Sequence, residues 1–387
     1  MTGHKELDFV DDYRQTADQV AVSLRSGDVA ALCAAIEAEV AAAHLLLPDP
    51  KVLIERMVTG LLAGHIVLAG PPGTGKTTLA KLVAKAFKCT YKIETATADW
   101  STYDVIGGLQ PKITGAGANV SETIAPWLGH VTEAVRQCAV AVARNLDSPA
   151  DHPEQAHWLI IDEINRAEID KAIGGLYTVL GGDRSEPLRL WFEQDARRQA
   201  LWMPGRFRII ATMNSVDTSY VYGFSQGLTR RFKYVYVGVP ASDQVSDEID
   251  QALAQAIDWV VTTYPATAAS ASDDDVRTRV ATTKPRLEAL IRLVRYGTGR
   301  VPGWPIGTAQ VVDVLREMAL HARNAADLSE HLDLAFADLV IPQMKDLSTS
   351  QLDFIEEGFK ENGSLPDMPR SAAALAHLRE AQNTSFS

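Results

Sequence analysis

Cysteine is scarce. The 387-residue sequence holds three, Cys33, Cys89 and Cys138, set far apart and without metal-type spacing. That excludes a cysteine-built zinc site and a disulfide scaffold, and predicts reduced thiols serving as small core residues. Basic charge is also in deficit. Lys and Arg number 37 against 49 Asp and Glu, a net charge of −12. Such a surface disfavours non-specific contact with DNA or an anionic membrane. Long apolar runs are missing as well. The most apolar N-terminal stretch, Val29 to Leu47, is interrupted by Glu37, Glu39 and His44, which fits a packed amphipathic helix and no membrane span. The opening "MTGHKELDFVDDYRQ" lacks a signal-peptide pattern, so a cytoplasmic location is expected. No internal repeat is evident.

What is present is a glycine-rich turn between two periodic segments. "HIVLA", His65 to Ala69, reads as a buried strand. Gly70-Pro71-Pro72-Gly73-Thr74-Gly75-Lys76-Thr77 follows and fits G-x-x-x-x-G-K-[ST]. Behind it Leu79, Leu82, Val83, Ala86 and Phe87 recur at helical spacing. Strand, glycine loop and helix in that order make a phosphate cradle. Gly73 and Gly75 let several backbone N–H groups turn into one hollow, and the helix N-terminus adds partial positive charge. Lys76 can reach the outer phosphates, and the Thr77 hydroxyl can hold Mg²⁺. Gly70 to Thr78 is therefore the candidate nucleotide-binding set: Gly70, Pro71, Pro72, Gly73, Thr74, Gly75, Lys76, Thr77 and Thr78.

Phosphoryl transfer also needs a metal anchor, a group that orients water and positive charge on the outer phosphate. "WLIIDE" carries Asp162 and Glu163 to the C-terminal end of an apolar strand, where ligands sit in open α/β sheets. Asp162 would steady the Mg²⁺ shell and Glu163 would polarise water. "RIIATMN" ends in Asn214, either a strand-end turn residue or a holder of the attacking water or outer phosphate. "LTRRF" places Arg230 and Arg231 before the next strand, either as a solvated helix end or as reach toward a nucleotide on a neighbouring subunit.

Along the chain, residues from about 5 to 47 read as helical up to the "PDP" at Pro48 to Pro50. Strand candidates follow at "HIVLA", "YKIETAT", "HWLIIDE", "FRIIATMN" and "KYVYVGV", alternating with helices. That alternation predicts a parallel sheet covered on both faces. A turn-rich insert at about 105 to 126 looks like a hairpin, and "LRLWFEQ" with "RQALWM" like another. After Pro240 only amphipathic helices are expected, with an exposed loop at Ala266 to Asp275. The expected class is α/β. A short N-terminal helical segment (1–47) precedes a nucleotide-binding core (48–240), and a helical domain (241–387) follows.

"GPPGTGKTT", "LIIDEINRA", "ATMN" and "LTRRF", in this order and spacing, resemble the AAA+ ATPases. "DEINRA", the insert around "VIGGLQP", "GTAQVVDVLR" and "IPQMKDL" resemble the MoxR, McrB and dynein-related branch. The resemblance implies a P-loop NTPase core with a helical lid, assembled as a ring, usually of six subunits, with nucleotide at each junction. It implies that Lys76, Thr77, Asp162, Glu163 and Asn214 act within their own subunit, and Arg230 or Arg231 on the neighbour. Asn165 and Arg166 match positions near the junction. Many AAA+ proteins carry a lid arginine at the outer phosphate; at the matching place this chain has Thr308-Ala309-Gln310, with Arg300 and Arg316 nearby.

The expected function is Mg²⁺-dependent ATP hydrolysis by an oligomeric motor that remodels a partner protein, with nucleic acid involved only indirectly and no membrane. A McrB-like GTPase driving a nuclease is one alternative, and a slow nucleotide-dependent scaffold another. About 50 residues before the motor are too few for most DNA-reading modules, and the phosphate loop does not separate ATP from GTP.

Overall fold

The structure, a computed structural model, describes residues 21–114, 121–181, 186–195, 198–214, 225–266, 270–298, 300–361 and 368–385. The expected helix over residues 5–20 and residues 115–120 of the insert lie outside them. Contacts divide the chain into two compact units. The first comprises Met1–Ala43, Asp49–Gly70 and Lys76–Val237, the second His44–Pro48, Pro71–Gly75 and Gly238–Ser387.

The first unit is built on a five-stranded parallel sheet in the order β2-β5-β8-β1-β9. β1 is His65–Gly70, β2 Cys89–Thr95, β5 Ala156–Asp162, β8 Ile209–Asn214 and β9 Phe232–Tyr236. All five expected core strands are present. β1 is buried along its whole length, as a near-continuous apolar run must be when both faces of a parallel sheet are covered. Helices α1 (Val29–Ala42), α2 (Pro50–Ala63), α3 (Lys76–Ala86) and α4 (His130–Asp147) belong to this unit. The parallel register sets the strand ends level: Gly70 pairs with Asn214, and Ile161 with Ala211. The C-terminal ends of β1, β5 and β8 therefore meet at one edge of the sheet.

Helix does not run continuously through the N-terminal segment. Residues 22–28 are non-helical, and α1 starts only at Val29, where the Asp28 side chain accepts from Ala30 N. The preceding strap is tied down by side chains. Gln155 takes Arg25 N and gives to Arg25 O, and Arg206 Nε donates to Ser23 O over 3.0 Å. These bonds compete with helix for the same backbone groups.

The insert is a hairpin, β3 (Gly107–Thr114) with β4 (Ser121–Leu128). Its antiparallel register sets Leu109 opposite Pro126 and Pro111 opposite Ile124. The second expected hairpin is reduced to two-residue strands, β6 (Leu188–Arg189) and β7 (Ala200–Leu201).

The helical part of the second unit contains α5 (Val245–Thr263), α6 (Asp273–Ala281), α7 (Lys284–Tyr296), α8 (Thr308–Ala322), α9 (Ser329–Leu339), α10 (Thr349–Glu361) and α11 (Pro369–Ser385). Their apolar stripes enclose a core around Leu290, Met318, Leu332 and Phe336. The expected loop at Ala266 to Asp275 ends early. Ser272 and Asp275 form a capping box, and Asp273, Asp274 and Asp275 fill the first turn of α6, where negative charge suits the helix dipole. Among the described residues no helix is long and apolar enough to cross a membrane.

Candidate active site

Lys76 opens α3 directly after the glycine loop. Its side chain is buried, and Nζ donates to Gly70 O over 2.9 Å. Burial pushes its pKa down to about 8, against the upward pull of Asp162 and Glu163. At the next position, Thr77 Oγ1 donates to Asp162 Oδ1 over 2.5 Å. Strand β5 carries Asp162 at its last position, and Glu163 follows at once.

Glu163 stands in the left-handed region, at φ 52° and ψ 49°. A non-glycine residue there is unusual and is held by its surroundings. Its N–H donates to Thr212 Oγ1 over 2.9 Å, and that same hydroxyl donates to Asp162 Oδ1 over 2.6 Å. Asn214 Nδ2 lies 3.4 Å from Glu163 Oε1, and Arg166 Nε forms an ion pair with Glu163 Oε2. The sheet thus brings Lys76, Thr77, Asp162, Glu163 and Asn214 to one edge.

Thr212 did not figure among the expected site residues. Its signal was available: it stands two positions before Asn214 in an apolar strand, so the period of two puts both on one face. A hydroxyl that is 1% exposed in such a strand needs a partner, and it has two.

Within the loop, Gly73 and Gly75 take φ of 74° and 77°, which L side chains rarely adopt. Thr74 is buried and caps the turn from inside, donating to Pro71 O over 3.0 Å. Thr78 is not brought to Asp162. It is exposed and lines a groove with Lys81, Lys85 and Tyr91.

Arg230 and Arg231 lie elsewhere. β9 begins at Phe232, which pairs with His65, the first residue of β1. The arginines therefore sit at the N-terminal edge of the sheet, whereas the loop follows the last residue of β1. The strand between spans about 20 Å at ~3.3 Å per residue. Arg231 Nη1 donates to Gly227 O over 2.6 Å, while Arg230 is exposed and its side chain has no partner among the described residues. In the second unit, Gln310 is buried, Arg300 is exposed, and Arg316 pairs with Asp313 and lies 5.3 Å from the ring centre of Trp259.

Residues 65–232 match the family model of the AAA domain, dynein-related subfamily. The chain carries an AAA domain of that subfamily. The AAA domain spans β1 to the first residue of β9, so it takes in Lys76, Thr77, Asp162, Glu163, Asn214, Arg230 and Arg231. The match supports an AAA+ nucleotide-binding domain in this stretch, and the parallel five-stranded α/β sheet fits it. No curated protein matches the chain.

Proposed function

We propose that the AAA domain hydrolyses ATP with Mg²⁺ and that the chain works as a ring-forming motor on a partner protein. The observation that carries this reading is the meeting of Thr77 and Asp162 at 2.5 Å, a hydroxyl and a carboxylate from positions far apart in sequence. That donor pair suits Mg²⁺, a hard cation that takes oxygen ligands and keeps several from water and phosphate. Among the described residues no cluster of three His, Cys, Asp or Glu side chains could hold a metal by itself, so nucleotide would have to complete the shell. Thr77 would hold the ion directly and Asp162 would orient its shell; the ion would neutralise charge on the outer phosphates.

Lys76 adds a buried cation at the end of the loop. Glu163, at the same sheet edge, orients a water toward the γ-phosphorus; the water oxygen bonds to phosphorus, the bond to the β–γ bridging oxygen breaks, and ADP and phosphate leave. Asn214 steadies Glu163 or the outer phosphate. Arg230 and Arg231, at the opposite edge of their own sheet, supply positive charge to a neighbouring subunit. The hairpin β3–β4 supports a protein partner, since Leu109 and Ile124 stand 41% and 69% exposed on it.

Phosphate release tests the proposal. Turnover should need Mg²⁺, stop on chelation and rise steeply per subunit with protein concentration. Absence of Mg²⁺-dependent release at any concentration would overturn it.

A further inference from the structure

The helical unit contains an ion pair fully removed from water. Glu248 on α5 and Arg295 near the end of α7 have side chains 0% exposed. Arg295 Nη1 donates to Glu248 Oε2 over 2.5 Å, and Nη2 to Oε1 over 3.0 Å. A buried pair of this kind is weak evidence for stability, because well-packed apolar side chains of similar volume often serve as well. Its other bonds show what it holds.

Both partners make a third contact, and both contacts fall on one short segment. Arg295 Nε donates to Ile306 O over 2.8 Å, and Glu248 Oε1 accepts from Thr308 Oγ1 over 2.7 Å. Residues 306 to 308 lead into α8 and are pinned on either side of Gly307. A Cβ on Gly307 would stand 2.3 Å from Pro72 O, so the backbone approaches the glycine loop as closely as only glycine allows. The next residue completes the grip. Ala309 N, one of the first-turn N–H groups that no helical carbonyl can take, donates to Gly73 O over 3.1 Å. Gln310 Oε1 fills the space beside Gly73, 2.4 Å from where a Cβ there would lie.

We infer that Glu248, Arg295 and Thr308 are positioning residues for the phosphate loop. The ion pair fixes the start of α8, the start of α8 fixes the Pro72–Gly73 backbone, and the fixed backbone sets how tightly nucleotide is held. None of the three needs to touch the nucleotide. The inference rests on the reading of Gly70 to Thr77 as the phosphate site.

Thr308→Val keeps the shape and removes one donor. The Glu248→Met/Arg295→Met double variant removes the whole clamp while keeping an apolar core. Two readouts apply to each in the full chain: hydrogen exchange at the Ala309 amide without nucleotide, and affinity for a fluorescent ATP analogue. Both variants should exchange faster at Ala309 and bind the analogue more weakly, each by about tenfold. Exchange within α9 should stay at its wild-type rate, and Thr308→Ser should restore both values. Unchanged Ala309 exchange overturns the inference, as does faster exchange with unchanged affinity. Wild-type protein that binds no nucleotide overturns the functional reading and this use of the clamp together; a binding wild type beside unaltered variants overturns the inference alone.

Discussion

The Thr77 hydroxyl donates to Asp162 Oδ1 over 2.5 Å, joining the first turn of α3 to the end of β5. The same oxygen accepts from Thr212 over 2.6 Å. Two donors on one carboxylate oxygen hold the rotamer of Asp162, and the Thr212 hydroxyl also holds the backbone of Glu163. Thr212→Val removes both bonds and leaves the Glu163 N–H without its partner. Stability should fall by about 1–3 kcal/mol, and turnover by about tenfold or more. Thr212→Ser should restore both. Urea unfolding and phosphate release are the measurements; wild-type values of both in the valine variant would reduce Thr212 to strand filler.

Lys76 is the one lysine in the loop, and burial lowers its pKa to about 8. The protonated amine is the form that attracts phosphate. Below pH 8 the site is charged in advance; above pH 8 binding must first take up a proton. Affinity should therefore fall about tenfold per pH unit above 8. Calorimetry in two buffers of different ionisation heat reads the proton uptake directly, and Lys76→Ala should abolish both binding and uptake. An affinity flat from pH 7 to 10 would contradict this role.

His65 predicts an acid limit to stability. Burial, reinforced by Arg208, pushes its pKa down from 6.5 to about 3, and its Nδ1 accepts from Ile209 N over 3.0 Å. The folded protein thus resists a proton that the unfolded chain takes at about 6.5. Stability from the neutral ring is fully present above that pH and is lost as pH falls from 6.5 toward 3. The loss is about 1.4 kcal/mol per pH unit. His65→Asn keeps an acceptor without the titration, so its urea midpoint should depend less on pH between 6 and 4. Equal slopes for both proteins would show that other groups set the limit.

Arg230 and Arg231 precede β9 at the N-terminal edge of the sheet, where Phe232 pairs with His65, and are proposed to serve a neighbouring subunit. The double alanine variant should bind nucleotide almost normally and hydrolyse it about a thousandfold more slowly, the scale of a missing arginine finger. Mixing it with Glu163→Gln protein should recover part of the activity, because some junctions then pair an intact Glu163 with intact arginines. A mixture that stays inactive would mean that the arginines serve only as helix-end charges.

Much of the site was legible because its residues end apolar runs. His65 to Ala69, "WLIID" and "RIIATMN" announce buried parallel strands, and Asp162 and Asn214, which close the last two runs, fall at the C-terminal edge of the sheet. What pattern alone did not give depends on partners distant in sequence. The strap at residues 22–28 is held from helix by Gln155 and Arg206, more than a hundred residues away. The start of α6 turned on a capping box inside a stretch whose composition reads as loop. Glu248 and Arg295 each look like surface charges on amphipathic helices, and only packing shows that they meet with no water.

Glu163, strained into the left-handed region beside Asp162, is proposed to orient the attacking water. Single-turnover hydrolysis of bound, γ-labelled ATP by Glu163→Gln protein tests it most directly. The amide preserves size and cannot take up the water's proton in the same way. Binding should stay within about threefold of wild type, with cleavage slower by about 10²–10⁴-fold. Wild-type cleavage by the glutamine variant would contradict the claim.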